Sequence, residues 1–188
     1  MKIDAKKLIE ERLAVSMGLD KYGIIINRVN AVNVSKDTDF QRQFNGLYGV
    51  RRNSEWRKIY YDLFEKMKAG PATFAKIITA LFEKTGQIEA SFSSKMLATL
   101  HMDKPIWDRH VVQNLGLLLT GKNKQEQLEN AIALYFDIEK WYSNFLGTND
   151  AKKCLSIFDS ALPRYTWLSD VKKIDFFLWS IKQADTHI

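Results

Sequence analysis

Residues 22–34 read Y-G-I-I-I-N-R-V-N-A-V-N-V, and the fold class turns on whether this run is a strand. Its β-branched content suits a pleated strand. A strand needs a partner to take up its backbone N–H and C=O groups, and no other stretch of the chain offers one. The run is therefore read as helix or irregular backbone, and the protein as all-α.

The rest of the chain supports that reading. Trp56, Ile59, Tyr60, Leu63, Phe64 and Met67 recur at helical spacing and form one broad apolar stripe. Ala69-Gly70-Pro71 ends that helix and starts the next, with Pro71 in its first turn. Phe74, Ile77, Ile78, Leu81 and Phe82 repeat the pattern. Ala131, Leu134, Tyr135, Ile138, Trp141 and Phe145 give a further stripe, and so do Val171, Ile174, Leu178 and Ile181 behind a cap at Ser169 or Asp170. The first dozen residues form another amphipathic helix.

With 188 residues, the chain fits one domain, residues 1–188, or two small lobes sharing a core. Hydrophobic residues at 46% and aromatics at 12% supply that core without staples. Cys154 is the only cysteine, which excludes an internal disulfide and a cysteine-based zinc site. The histidines (101, 110, 187) are scattered, so neither a metal centre nor another cofactor is expected. The N-terminus lacks the apolar stretch of a signal peptide, and no apolar run reaches membrane-spanning length. A cytoplasmic protein with no membrane partner is the expectation. The net charge of +6 leans toward a polyanionic partner such as nucleic acid.

Residues 91–111, S-F-S-S-K-M-L-A-T-L-H-M-D-K-P-I-W-D-R-H-V, carry the chemistry. Gly86 suits the end of one helix and a new helix opens near Ala90 or Ser91, so the two make a helical hairpin. Phe92, Met96, Thr99 and Leu100 share its buried stripe. Lys95 lies at the edge of that stripe beside the small residues Ser91, Ser94 and Ala98, where another molecule could approach the backbone. Met102 to Trp107 is a loop, and Asp108 is an N-cap whose free amides keep it ionised.

S-F-S-S-K followed by W-D-R-H-V resembles the signature of the helix-hairpin-helix DNA glycosylases, over roughly residues 74–116. In that family a Gly-x-Gly-x-Lys hairpin opens the lysine helix, and a hydrophobic-Asp-x-His-Val motif caps a following one. F-N-G-L-Y-G-V-R-R-N-S-E-W-R (44–57) and V-K-K-I-D-F-F-L-W (171–179) are similar to segments of bacterial proteins, which suggests a divergent branch. The resemblance implies a two-lobed helical fold, Lys95 as nucleophile and Asp108 as catalytic carboxylate. It implies a damaged base flipped out of DNA, attack by the Lys95 amine on the sugar C1′, and a Schiff base that can lead to strand cleavage. Phe92, Trp107 and Trp179 are the expected pocket walls, and Ser91, Ser93 and Ser94 the expected phosphate contacts. Serine stands where the family has its hairpin glycines, and the Lys-to-Asp connection is about one helical turn shorter.

Arg42, Arg51, Arg52, Arg57 and Lys58 interleave with Phe44, Tyr48 and Trp56, a pattern suited to phosphate and base contacts. Arg51 and Arg52, in a loop before a helix, are the expected DNA-binding residues. The bland alternative is a solvated loop with helix-face pairs such as Glu55 with Lys58. A different class of function stays open: a non-catalytic helical module that binds DNA or protein through the same scaffold.

Overall fold

The β-branched run is helical as far as Val29, and no strand occurs among the described residues. The structure is a computed structural model that describes residues 3–10 and 15–181. In chain order its helices are α1 (Ala5–Glu10), α2 (Val15–Val29), α3 (Thr38–Tyr48), α4 (Ser54–Met67), α5 (Phe74–Thr85), α6 (Ala90–Leu100), α7 (Arg109–Asn114), α8 (Lys124–Leu146), α9 (Asn149–Ala161) and α10 (Asp170–Ser180), with a 3-10 turn at Pro163–Tyr165. None of the described helices is long and apolar enough to cross a membrane.

Local chemistry sets most boundaries. Asp37, Asn53, Thr73, Asp108, Asn123, Thr148 and Ser169 each accept a bond from an amide in the first turn of the helix that follows, which satisfies one of its free N–H groups. The first helix of the hairpin, α5, starts later than expected. Pro71 lies outside α5, and Thr73 Oγ1 caps it by accepting from Lys76 N at 3.3 Å. Gly86, at φ 65°, closes α5 in the left-handed region that glycine tolerates best.

Buried side chains from α1 through α10 join in one hydrophobic cluster. Its aromatic centre is Phe40, Phe44, Tyr60, Tyr61 and Phe64, contributed by α3 and α4. Helix α6 packs against α5 and α2 and is covered on almost every side. Ser93, Ser94, Met96, Leu97, Ala98 and Thr99 are all buried. The edge with Ser94 and Ala98, expected to admit another molecule, is instead occupied by the protein itself. Small side chains there let neighbouring backbone approach, and Trp107 N donates to Ser94 Oγ at 2.8 Å.

Helix α7 is short, and it is latched rather than self-supporting. Asn114 Nδ2 donates to the carbonyls of Leu178 and Ile181 at 3.0 and 3.2 Å. These carbonyls belong to the end of α10, where helical acceptors are left without intrahelical partners.

Candidate active site

The Ser94–Trp107 bond and the α7–α10 latch bring the two ends of the 91–111 stretch to one place. Lys95 and Asp108 both line a cavity of about 290 Å³ whose other walls include Tyr22, Leu47, Tyr48, Val111, Phe176 and Trp179. That volume is near the lower end of small-molecule sites.

Lys95 is half-buried. Its ammonium donates to the Tyr48 carbonyl at 3.3 Å and lies 5.2 Å from the Phe92 ring centre and 5.9 Å from that of Tyr48. Helix α3 ends at Tyr48, and Gly49, at φ 65°, turns the chain away, so α6 can sit beside this terminal carbonyl. Burial lowers the Lys95 pKa below the usual lysine value, while the Asp108 carboxylate works in the opposite direction. Removing water destabilises the ammonium more than one nearby carboxylate restores it. The outcome is an amine more easily deprotonated than a surface lysine.

Asp108 accepts from His110 N at 2.9 Å as the cap of α7. One carboxylate oxygen therefore anchors the helix, and the residue still faces the cavity. His110 is partly buried in that first turn.

Tyr22, Lys172 and Asp175 complete the cavity wall, and sequence reasoning missed all three. Lys172 is only 2% exposed and Asp175 is also buried. The Lys172 ammonium meets Asp175 Oδ2 at 2.8 Å. Asp175 Oδ1 accepts from the Tyr142 hydroxyl, and more weakly from Ile106 N at 3.4 Å. A signal was present in V-K-K-I-D-F-F-L-W. Val171, Ile174, Phe176, Phe177, Leu178 and Trp179 fall on most sides of the helix axis, so Lys172 and Asp175 lie between apolar residues. Charged residues hemmed in like this need a buried partner.

The remaining expected site residues are distributed as follows. Trp179 lines the cavity and is 52% exposed, so it stands at the rim. Phe92 lies under the Lys95 stem and against Trp56, at 4.9 Å between ring centres, and is not a cavity wall. Trp107 is buried, stacked on Phe74 at 6.1 Å, and likewise does not line the cavity. Ser93 and Ser94 have no exposure; Ser94 Oγ donates to the Ser91 carbonyl at 2.9 Å, while the Ser93 hydroxyl has no partner among the described residues. Neither is open to a phosphate, and of the three serines Ser91 alone is partly exposed.

Arg51 is exposed in the loop before α4. Arg52 is committed: it pairs with Glu89 at 2.9 Å and lies 5.5 Å from the ring centres of Trp56 and Phe92. Glu89 is itself buried and also accepts from Trp56 Nε1 at 3.0 Å. Phe44 and Trp56, which interleave with these basic residues in the sequence, belong to the core, in line with the apolar stripe that holds Trp56. Lys58 pairs with Asp62 at 2.7 Å rather than with Glu55, the helical i,i+4 geometry.

The chain matches no protein-family model, no curated protein and no solved structure.

Proposed function

We propose that the protein is a DNA glycosylase-like enzyme with lyase activity, in which the Lys95 amine is the nucleophile and Asp108 the stabilising carboxylate. The observation that carries this reading is that both side chains line one cavity, with the amine's pKa lowered by burial. The likeness of the 91–111 stretch to helix-hairpin-helix glycosylases adds to it, as does the positive net charge. The reading takes the cavity to lie between two helical lobes that grip DNA, with Trp179 at its mouth.

In the reaction, the neutral Lys95 nitrogen donates its lone pair to C1′ of the deoxyribose. The bond from C1′ to the base breaks, and the base leaves with that electron pair and takes up a proton. Asp108 stabilises the positive charge that builds on the sugar as this bond breaks. The nitrogen loses a proton, and its lone pair then expels O4′, which leaves C1′ with the bonding pair and takes up a proton, giving a protonated imine.

Borohydride supplies a hydride to that imine carbon and fixes the protein to DNA as a secondary amine. The expected result is trapping on an oligonucleotide with a single abasic site, and loss of trapping in Lys95→Ala. Trapping that persists unchanged in Lys95→Ala would sink the assignment. Salt-dependent DNA binding with no trapping at all would instead support the non-catalytic module.

A further inference from the structure

We propose that Tyr22 and Lys172 form a recognition edge for a ring carbonyl, so that the cavity selects a planar heterocycle carrying such an oxygen. The proposal rests on the enzyme reading only in taking this ring to be a base of DNA.

The Tyr22 hydroxyl is the first observation. The residue is buried and lines the cavity, yet its hydroxyl has no hydrogen-bond partner among the described residues. A hydroxyl withdrawn from water and left unmatched costs stability, so a ligand that supplies the missing partner gains from it.

Lys172 is the second. Its ammonium sits 5.1 Å from the centre of the Tyr22 ring, which puts the two groups on one wall. An ammonium has three N–H donors, and the bond to Asp175 Oδ2 uses one. Asp175 is meanwhile held by Tyr142, Ile106 N and Lys172 together. It is a positioning residue: it fixes the ammonium at the wall and is left with little capacity to bind a ligand. Of the groups on this wall with capacity to spare, the Lys172 ammonium can only donate, and the Tyr22 hydroxyl can donate beside it.

The remaining walls define the rest of the ligand. Leu47, Ile106, Val111, Phe176 and Trp179 are apolar or aromatic, which suits the faces of a flat ring. Two lysines and two aspartates line the cavity, so its charges balance and a neutral ligand fits better than an anion. A carbonyl oxygen accepts only, and it satisfies donors from both Tyr22 and Lys172. An exocyclic amine at the same point would set N–H groups against an ammonium.

Hypoxanthine and adenine are nearly the same shape and differ at this point, an oxygen against an amine. The test is NMR titration of the full chain with each free base. Hypoxanthine should bind saturably and about ten-fold more tightly than adenine, the scale of one hydrogen bond. Tyr22→Phe should weaken hypoxanthine by about the same factor, leave adenine unchanged and fold as well as wild type, because the lost hydroxyl has no partner among the described residues of the free protein. Equal affinities for the two bases, or a Tyr22→Phe variant that keeps the preference, would overturn the proposal. Selectivity for hypoxanthine without borohydride trapping removes the enzyme reading and supports this one. Trapping without selectivity does the reverse.

Discussion

Lys172 and Asp175, one turn apart on α10, meet at 2.8 Å in the interior of the protein and not on its surface. Surface pairs at this spacing contribute little. A buried pair behaves differently, because each charge is tolerable only while the other is present.

Asp175→Ala should therefore be costly. It strands the Lys172 ammonium and deprives the Tyr142 hydroxyl of its acceptor. The expected loss is about 3–5 kcal/mol in urea unfolding. The double variant Lys172→Met, Asp175→Leu should recover most of it, since no unpaired charge remains.

Asp108 has a capping role and a proposed catalytic one, and two substitutions separate them. Asparagine caps helices about as well as aspartate, so Asp108→Asn should keep its unfolding midpoint while single-turnover cleavage of abasic DNA falls by orders of magnitude. Asp108→Ala should lose activity and also about 1 kcal/mol of stability. Full cleavage by Asp108→Asn would leave the residue with capping alone.

The pH dependence of that cleavage reports on Lys95. Only the neutral amine attacks, so the rate should rise with pH and level off near the lysine pKa. Burial lowers that value, so the plateau should come below pH 10.5. The Asp108 carboxylate raises the pKa, so the residual activity of Asp108→Asn should level off at a lower pH still. Folding shows the same linkage. Between the lowered pKa and 10.5 the unfolded chain binds more protons, so wild-type stability rises with pH there, and Lys95→Met should lack that rise.

Ser93 and Ser94 are neighbours with opposite expectations. Ser94 Oγ accepts the Trp107 amide and ties the lysine helix to the Asp108 loop. Ser94→Ala should cost about 1–3 kcal/mol through the stranded amide and slow cleavage as well. Ser93→Ala removes a buried hydroxyl that has no partner among the described residues and should be neutral or stabilising. Thermal unfolding of the two variants makes the comparison.

Periodicity made α4, α5, α8 and α10 legible, because one apolar stripe per helix records one buried face. The caps at Asp108 and Ser169 could be read as well, since a cap is a local bond within a few residues. Helix α6 could not be read in this way. Its serines and alanine look like an open edge, and whether they are covered depends on α2, α5 and the Trp107 loop, all distant in sequence. The resemblance paired Lys95 with Asp108, but whether the two face one cavity stayed open until the geometry was seen. Its far wall was hidden as well, since Lys172 and Asp175 count as surface residues until α7, α8 and α9 are seen packed on α10. The ion pair of Arg52 was hidden for a similar reason: its partner Glu89 lies beyond two intervening helices, α4 and α5.

The cavity draws its walls from α2, α3, α6, the Asp108 loop and α10, which has a consequence for the chain as it is made. Lys95 and Asp108 leave the ribosome well before Lys172, Phe176 and Trp179. Until α10 docks and Asn114 finds the Leu178 and Ile181 carbonyls, the nascent protein has Lys95 and Asp108 without the far wall of their cavity. Docking of α10 thus works as a safety catch, withholding a closed cavity from any chain that stops short of it.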